Sequence, residues 1–244
     1  MKRIFIGDIH GRTNWRRIVR DHKDADEIVF FGDYFDPYDH QIELRSLMSN
    51  FKKIIEFKEF NDPKVILLLG NHDLHYIADV EPCSRYDFKN SLFIREAFLS
   101  NLGHFSVLHQ FENVICTHAG LSPIWLDLNF GDWTLPSLGD SIEKLFHLNP
   151  NSFAYNPLDK SGFGDDPVQG PMWIRPRSLI MANKEDKRLD SLVQVFGHSQ
   201  VEDIIESHNV LLNEFDGKFF MVDALEHGGY LVCDNNDIRP KVIN

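Results

Sequence analysis

A chain of 244 residues with 43% hydrophobic and 25% charged side chains can bury a full core unaided, and that composition excludes disordered, collagen-like and repeat-built architectures. The formal net charge of -12 excludes broad binding to a nucleic-acid backbone, which needs a basic surface to displace phosphate counterions. Cys83, Cys116 and Cys233 form an odd set with no CxxC pair. Neither a disulfide framework nor a thiolate zinc site is expected, and a reducing cytoplasm fits best.

Taken in chain order, the apolar run Ile4-Phe5-Ile6 stops at Gly7-Asp8, too early for a secretory leader, and reads as a first strand. Thr13 is placed to cap a helix with Trp15, Ile18 and Val19 on one face. A second strand over residues 28–31 ends in Gly32-Asp33. Leu44, Leu47, Met48, Phe51, Ile54 and Ile55 then keep a helical period. Strands over 65–69 and 113–116 deliver Gly70-Asn71-His72 and Thr117-His118. Strand and helix alternate, which predicts an α/β fold. No apolar stretch approaches the roughly 18 residues of a membrane span, so a soluble protein is expected.

From about residue 127 to 178 the chain is rich in Pro, Gly, Asn and aromatics, including Phe130, Trp133, Phe153, Tyr155, Phe163 and Trp173. This lid-like insertion into a single 1–244 domain reads either as a binding loop or as a surface excursion with its own aromatic minicore. Strands resume over 192–196, 210–213, 219–222 and 230–233. The last two are expected to pair as an antiparallel hairpin across 223–229.

Ligands gather where strands of an α/β sheet end, and here those ends carry Asp8, His10, Asp33, Asp36, Asn71, His72, Asp73, His118 and His198. Oxygen and imidazole donors without thiolate suit Mn, Fe or Zn. Each residue alone is explained by a turn, a helix cap or a structural histidine. Five such loops in order, each closing an apolar strand, point instead to a metal centre.

Gly7-Asp8-Ile9-His10-Gly11, Gly32-Asp33-Tyr34-Phe35-Asp36, Gly70-Asn71-His72-Asp73, Thr117-His118-Ala119-Gly120 and Gly197-His198 together resemble the calcineurin-like metallophosphoesterases. Because the last motif reads Gly-His-Ser-Gln and not Gly-His-x-His, the likeness is to the phosphoprotein-phosphatase type and its bacterial and diadenosine-polyphosphate-hydrolysing cousins. The resemblance implies a four-layer α/β/β/α sandwich with mixed sheets and a centre of two metal ions, Mn²⁺ first, Fe or Zn otherwise. Asp8 and His10 would hold one metal, Asp33 would bridge, and Asn71, His118 and His198 would complete the second. Two cations about 3.5–4 Å apart polarise phosphoryl oxygens and acidify water, so hydroxide would attack phosphorus without a side-chain nucleophile.

By the same resemblance, His72 would protonate the leaving oxygen, with Asp36 fixing its tautomer. Asp73 reads as an acceptor or helix cap, and His75 as structural. Arg175, in Trp173-Ile174-Arg175-Pro176, would grip the phosphate. The family's other arginine is replaced by Pro37, which leaves Arg12 as its substitute.

The implied activity is metal-dependent hydrolysis of a phosphomonoester, small-molecule or peptide-borne. Nucleotide, dinucleoside-polyphosphate or phosphodiester hydrolysis is the alternative; a catalytically silent scaffold would have lost metal ligands that this chain keeps. Acidity does not oppose a phosphate substrate. Only Asp8 and Asp33 among the six ligands are anionic, so two divalent cations would leave the centre locally positive.

Overall fold

The structure, a computed structural model, describes residues 1–156, 165–207 and 218–243. The alternation of apolar runs and amphipathic segments produces β1 (Lys2–Ile6), α1 (Trp15–Asp21), β2 (Glu27–Phe30), α2 (Leu44–Asn61), β3 (Val65–Leu68), α3 (Asn71–Ile77), α4 (Ser91–Leu99) and β4 (Phe105–Ser106). The second half adds β5 (Leu108–Phe111), β6 (Val114–Thr117), α5 (Pro123–Phe130), α6 (Leu135–Leu148), α7 (Pro176–Glu185), β7 (Val193–Phe196), β8 (Phe219–Met221), β9 (Gly229–Asp234) and β10 (Asp237–Val242).

The strands form two mixed sheets, a six-stranded one ordered β10-β9-β1-β2-β3-β4 and a four-stranded one ordered β5-β6-β7-β8. In the first, β1, β2, β3 and β4 run parallel, β9 runs against β1, and β10 runs against β9 and so in the direction of β1 again. In the second, β6, β7 and β8 run parallel and β5 is antiparallel.

Layering follows from which face each strand residue presents. Phe5, Val29, Leu68 and Leu231 of the first sheet meet Val114, Cys116, Val195 and Phe220 of the second in one buried cluster, so the sheets pack face to face. Ile4, Ile6, Ile28, Phe30 and Leu67 point the other way, onto Trp15, Ile18, Leu47, Phe51, Ile54 and Phe98 of the helices. On the far side, Phe196 and Phe219 pack with Leu179 and Ile180 of α7. Strands buried on both faces must be apolar throughout, which is why the runs ending at the functional loops show no alternation.

The expected hairpin between residues 219–222 and 230–233 does not form. The first of these segments, β8, joins β7 in the second sheet, and the second, β9, pairs with β1 and β10 in the first. The true hairpin is β9 to β10, turned by Asn235 and Asn236 at φ 48° and 70°, a two-residue turn of the left-handed kind that matches strand twist. The expected strand over 210–213 and the aromatic Phe163 lie outside the described residues.

The 127–178 stretch is helical in part where it is described, and residues 165–175 are irregular as expected. It holds the end of α5, all of α6 and a short 3-10 turn at Pro150–Phe153. Leu138, Ile142 and Phe146 of α6 are buried, and their spacing is helical, but Pro136 within the first turn and Gly139 dilute the signal. Trp125 packs on Phe130 and Phe153, so those aromatics build a local core. Thr13 does not cap α1 as expected. Asn14 holds the cap position without a capping bond, and its amide donates to the Leu225 carbonyl instead.

Candidate active site

The loops at the carboxyl ends of β1, β2, β3, β6 and β7 meet on one edge of the sandwich. His10, Asp33, Asn71, His72, Arg175 and His198 line a shared cleft of about 780 Å³ together with Tyr38, Cys83, Arg85, Tyr155 and Trp173. Asp8, Asp36 and His118 are buried behind it, none more than 2% exposed. The loops can converge because they lack Cβ atoms where they touch. A Cβ on Gly70 would overlap the Asp33 Oδ1 and His118 Cε1 atoms, and one on Gly197 would overlap Asp8 Oδ1. His10, Asp33, Asp36, Arg85 and His198 all adopt left-handed backbone, with φ between 41° and 64°. Strain of this kind in non-glycine residues gathers at functional sites.

Imidazole orientation tests whether the donor set fits cations. His10 Nδ1 donates to the Phe35 carbonyl at 3.0 Å and His118 Nδ1 to the Phe31 carbonyl at 2.6 Å. Both rings are thereby fixed with their Nε2 lone pairs inward. Those lone pairs face an acceptor: Asp33 Oδ2 lies 3.4 Å from His10 Nε2 and 3.6 Å from His118 Nε2. Asn71 Oδ1 likewise sits 2.9 Å from His118 Nε2 and 2.9 Å from His198 Nδ1. Ligand atoms of Asp8, Asp33 and His118 fall within 4.8 Å of one another. Acceptors crowded this closely, without enough protons to share, fit divalent cations, and the six donors are of the type that holds them.

Burial pushes the Asp8 carboxyl well up, helped by Asp223 and Asp33, and pushes Asp33 up as well, helped by Asp73. Burial likewise holds His10 and His198 well below the usual imidazole range and takes His118 down to about 3. The rings are neutral and ready as ligands. Such clustered displacement marks functional sites more often than structural ones.

Beside this cluster, His72 Nδ1 lies 2.9 Å from Asp36 Oδ2. Asp36 also accepts from the Tyr76 hydroxyl at 2.5 Å and has His75 Nε2 at 2.8 Å. Burial pushes the Asp36 carboxyl up, but the bonds from His72 and His75 outweigh it and hold Asp36 below its ordinary value. It therefore stays ionised and fixes which His72 nitrogen carries the proton. Asp73 accepts from the backbone N–H groups of Gly70, Asp33 and Tyr34, tying the β2 and β3 loops together as the acceptor expected of it.

The two expected arginines differ. Arg175 lines the cleft and donates to the His198 carbonyl at 3.3 Å and to Ser199 Oγ at 3.1 Å. Arg12 stands beside the cleft without lining it, bonding Glu226 Oε2 at 2.7 Å and the Asp8 carbonyl at 3.3 Å, with its guanidinium 5.4 Å from the centre of the Tyr38 ring.

Three residues enter the site without a motif. Arg85 reaches His72 Nε2 at 3.1 Å and the Asp36 carbonyl at 3.1 Å, with its guanidinium 3.9 Å from the centre of the Tyr38 ring. Asp223, only 4% exposed, lies against Asp8, and burial pushes its carboxyl up to about 6. Cys83 Sγ is 3.1 Å from His75 Nδ1, and burial raises its thiol far above the usual range, which makes it a poor nucleophile. None has a sequence signal, because each arrives from a loop or strand end distant in the chain.

Among known proteins, the chain is 30% identical over 137 residues to "Bis(5'-nucleosyl)-tetraphosphatase, symmetrical" of Aliivibrio salmonicida, covering 51% of this chain and 46% of that protein. It is 30% identical over 127 residues to the protein of the same description from Nitrosospira multiformis, covering 49% and 44%. The chain thus spans just under half the length of either relative. A solved metallophosphoesterase from Sphaerobacter thermophilus covers all of this chain at a TM-score of 0.51 and 13% identity, with 89% of that structure matched, a likeness of fold. The calcineurin-like phosphoesterase family model matches residues 1–212, and the chain belongs to that family.

Proposed function

We propose that the protein is a metal-dependent hydrolase of phosphoanhydrides joining nucleosides, of the dinucleoside-polyphosphate class. The observation that carries this reading is the aromatic wall of the cleft. Tyr155 and Trp173 stand 5.0 Å apart, and Trp173 lies 5.7 Å from His198, where a nucleobase could stack. A cleft of about 780 Å³ is also larger than a phosphate monoester needs. The two relatives described as tetraphosphatases support the same class.

Asp8, His10, Asp33, Asn71, His118 and His198 would hold two divalent cations, Mn²⁺ being our choice, which would supply Lewis acidity toward the phosphoryl oxygens. Arg175 would hold a phosphoryl oxygen from the His198 side. His72 carries its resting proton on Nδ1 toward Asp36, so it would take up a second proton on Nε2 and deliver that one to the oxygen that departs. Asp33 also positions His72 itself, since the His72 backbone N–H donates to Asp33 Oδ1 at 2.9 Å. A phosphomonoester is the second reading, favoured by Arg175 standing beside the proposed ligand His198, where one phosphate would suffice.

The deciding experiment gives the Mn²⁺-loaded protein an aryl phosphomonoester, its diester and diadenosine tetraphosphate at equal concentration. The expected result is the highest kcat/KM on the tetraphosphate. A higher value on the monoester establishes the second reading, and a preference for the diester or no turnover of any of the three overturns both.

A further inference from the structure

The cleft has a second cationic end whose position relates to the leaving group and not to the phosphoryl group under attack. Arg85 makes no hydrogen bond to the six proposed metal ligands. Its Nη2 instead stands 3.1 Å from His72 Nε2, the ring nitrogen left over once Nδ1 is given to Asp36. Whatever oxygen His72 faces, Arg85 is beside it.

The side chain is held there from three directions. Nε donates to the Asp36 carbonyl at 3.1 Å, the guanidinium lies over the Tyr38 ring at 3.9 Å, and the backbone at φ 64° fixes the entry of the residue. Cation–π support and an anchored Nε hold the guanidinium with Nη2 against His72 Nε2, so that Nη1 and the second Nη2 proton face the cleft as donors to phosphate oxygens. Arg175 is tied to the His198 and Ser199 side, so the two arginines serve different parts of a substrate.

We infer that Arg85 binds the phosphate of an anionic leaving group, so that the cleft selects phosphoanhydrides over esters whose leaving group carries no phosphate; this rests on the reading of His72 given under the proposed function. In the hydrolysis so selected, water oxygen bonds to one phosphorus, and the bridging P–O bond breaks with its electron pair on the departing phosphate. That phosphate takes up one proton, and nothing is oxidised or reduced. A departing phenolate offers Arg85 a single oxygen; a departing nucleoside polyphosphate offers it phosphate oxygens as well.

The test compares two ligands that share a base and differ by one phosphate, adenosine monophosphate and the non-hydrolysable α,β-methylene adenosine diphosphate. Both are titrated calorimetrically into Mn²⁺-loaded wild type, Arg85→Gln and Arg85→Lys, with Mn²⁺ in excess over ligand. The wild type is expected to prefer the diphosphate, Arg85→Gln to lose at least tenfold of that preference, and Arg85→Lys to keep part of it. In parallel, kcat/KM for diadenosine tetraphosphate should fall at least tenfold further in Arg85→Gln than kcat/KM for an aryl phosphate. An unchanged binding ratio, or equal losses on both substrates, overturns the inference and leaves Arg85 a support for His72. If Arg85→Gln does not fold, Arg85→Lys alone decides through the same ratio. Absence of turnover in the wild type defeats the proposed function, while the binding ratio still reads Arg85 independently.

Discussion

The His72 ring and the Asp36 carboxylate meet at 2.9 Å, Nδ1 to Oδ2, with Asp36 2% exposed. Replacing a buried ionised carboxylate by an amide keeps the shape but removes the acceptor that fixes the tautomer. Asp36→Asn should therefore lower kcat by about 10²-fold or more, within the span of general acid–base contributions. His72→Asn should do the same. Metal content per chain, read by atomic emission, should stay at the wild-type value in both variants. Loss of metal from His72→Asn would make His72 a ligand and not the acid.

Gly70 carries a prediction of a different kind. Its missing Cβ is the space occupied by Asp33 Oδ1 and His118 Cε1. Gly70→Ala forces two proposed ligands apart by a methyl group in a site with no slack, so Mn²⁺ affinity should drop about tenfold or more, the cost expected for disturbing ligand support. Calorimetric titration of Mn²⁺ checks it, and unaltered affinity would show that Asp33 is not a ligand.

Protons and metal compete for Asp8 and Asp33. Burial raises both carboxyls in the metal-free fold. From about 3.9, the ordinary aspartate value, up to the raised values, the folded chain holds more protons than the unfolded one, so stability falls as pH climbs through that window. A bound cation displaces those protons and its affinity grows over the same window. His10, His118 and His198 are lowered and give up no proton there. The rise in Tm produced by Mn²⁺ should be larger at about pH 7.5 than at about pH 5.5. An equal or larger rise at the acid end would contradict the placement of these carboxylates in the centre.

How much of this was readable depended on whether a residue's role is set by its own segment. The proposed ligands each follow an apolar strand, and the strand ends of an α/β sheet are fixed by chain order, so their convergence was legible. Arg85 was not, because its value lies in meeting Asp36 and His72 from another loop. Asp223 was hidden likewise, since it follows β8 and reaches Asp8 only where Gly7 lets the Val222–Asp223 backbone approach. The hairpin went to the wrong partner because β8 and β9 are adjacent in sequence yet belong to different sheets. Local pattern specifies a strand but not its sheet. Arg12 shows the converse limit: its place in the first loop brings it to the Asp8 carbonyl, while its pairing with Glu226 is set by a segment distant in the chain.

The aromatic core beneath the site links stability to ligand geometry. Phe51, 3% exposed, packs on Phe35 at 5.0 Å, Phe98 at 5.1 Å and Phe105 at 6.0 Å between ring centres. Phe35 is the residue whose carbonyl orients His10. Phe51→Ala should cost about 3 to 5 kcal/mol of unfolding free energy, the usual loss for a buried phenylalanine whose cavity does not collapse. Phe51→Leu, which keeps most of the volume, should cost less than half as much. Urea unfolding checks both. Because the cavity opens directly behind Phe35, the alanine variant should also bind Mn²⁺ more weakly while the leucine variant does not. A full stability loss with unaltered Mn²⁺ affinity in Phe51→Ala would show that the His10 carbonyl contact holds without the core behind it.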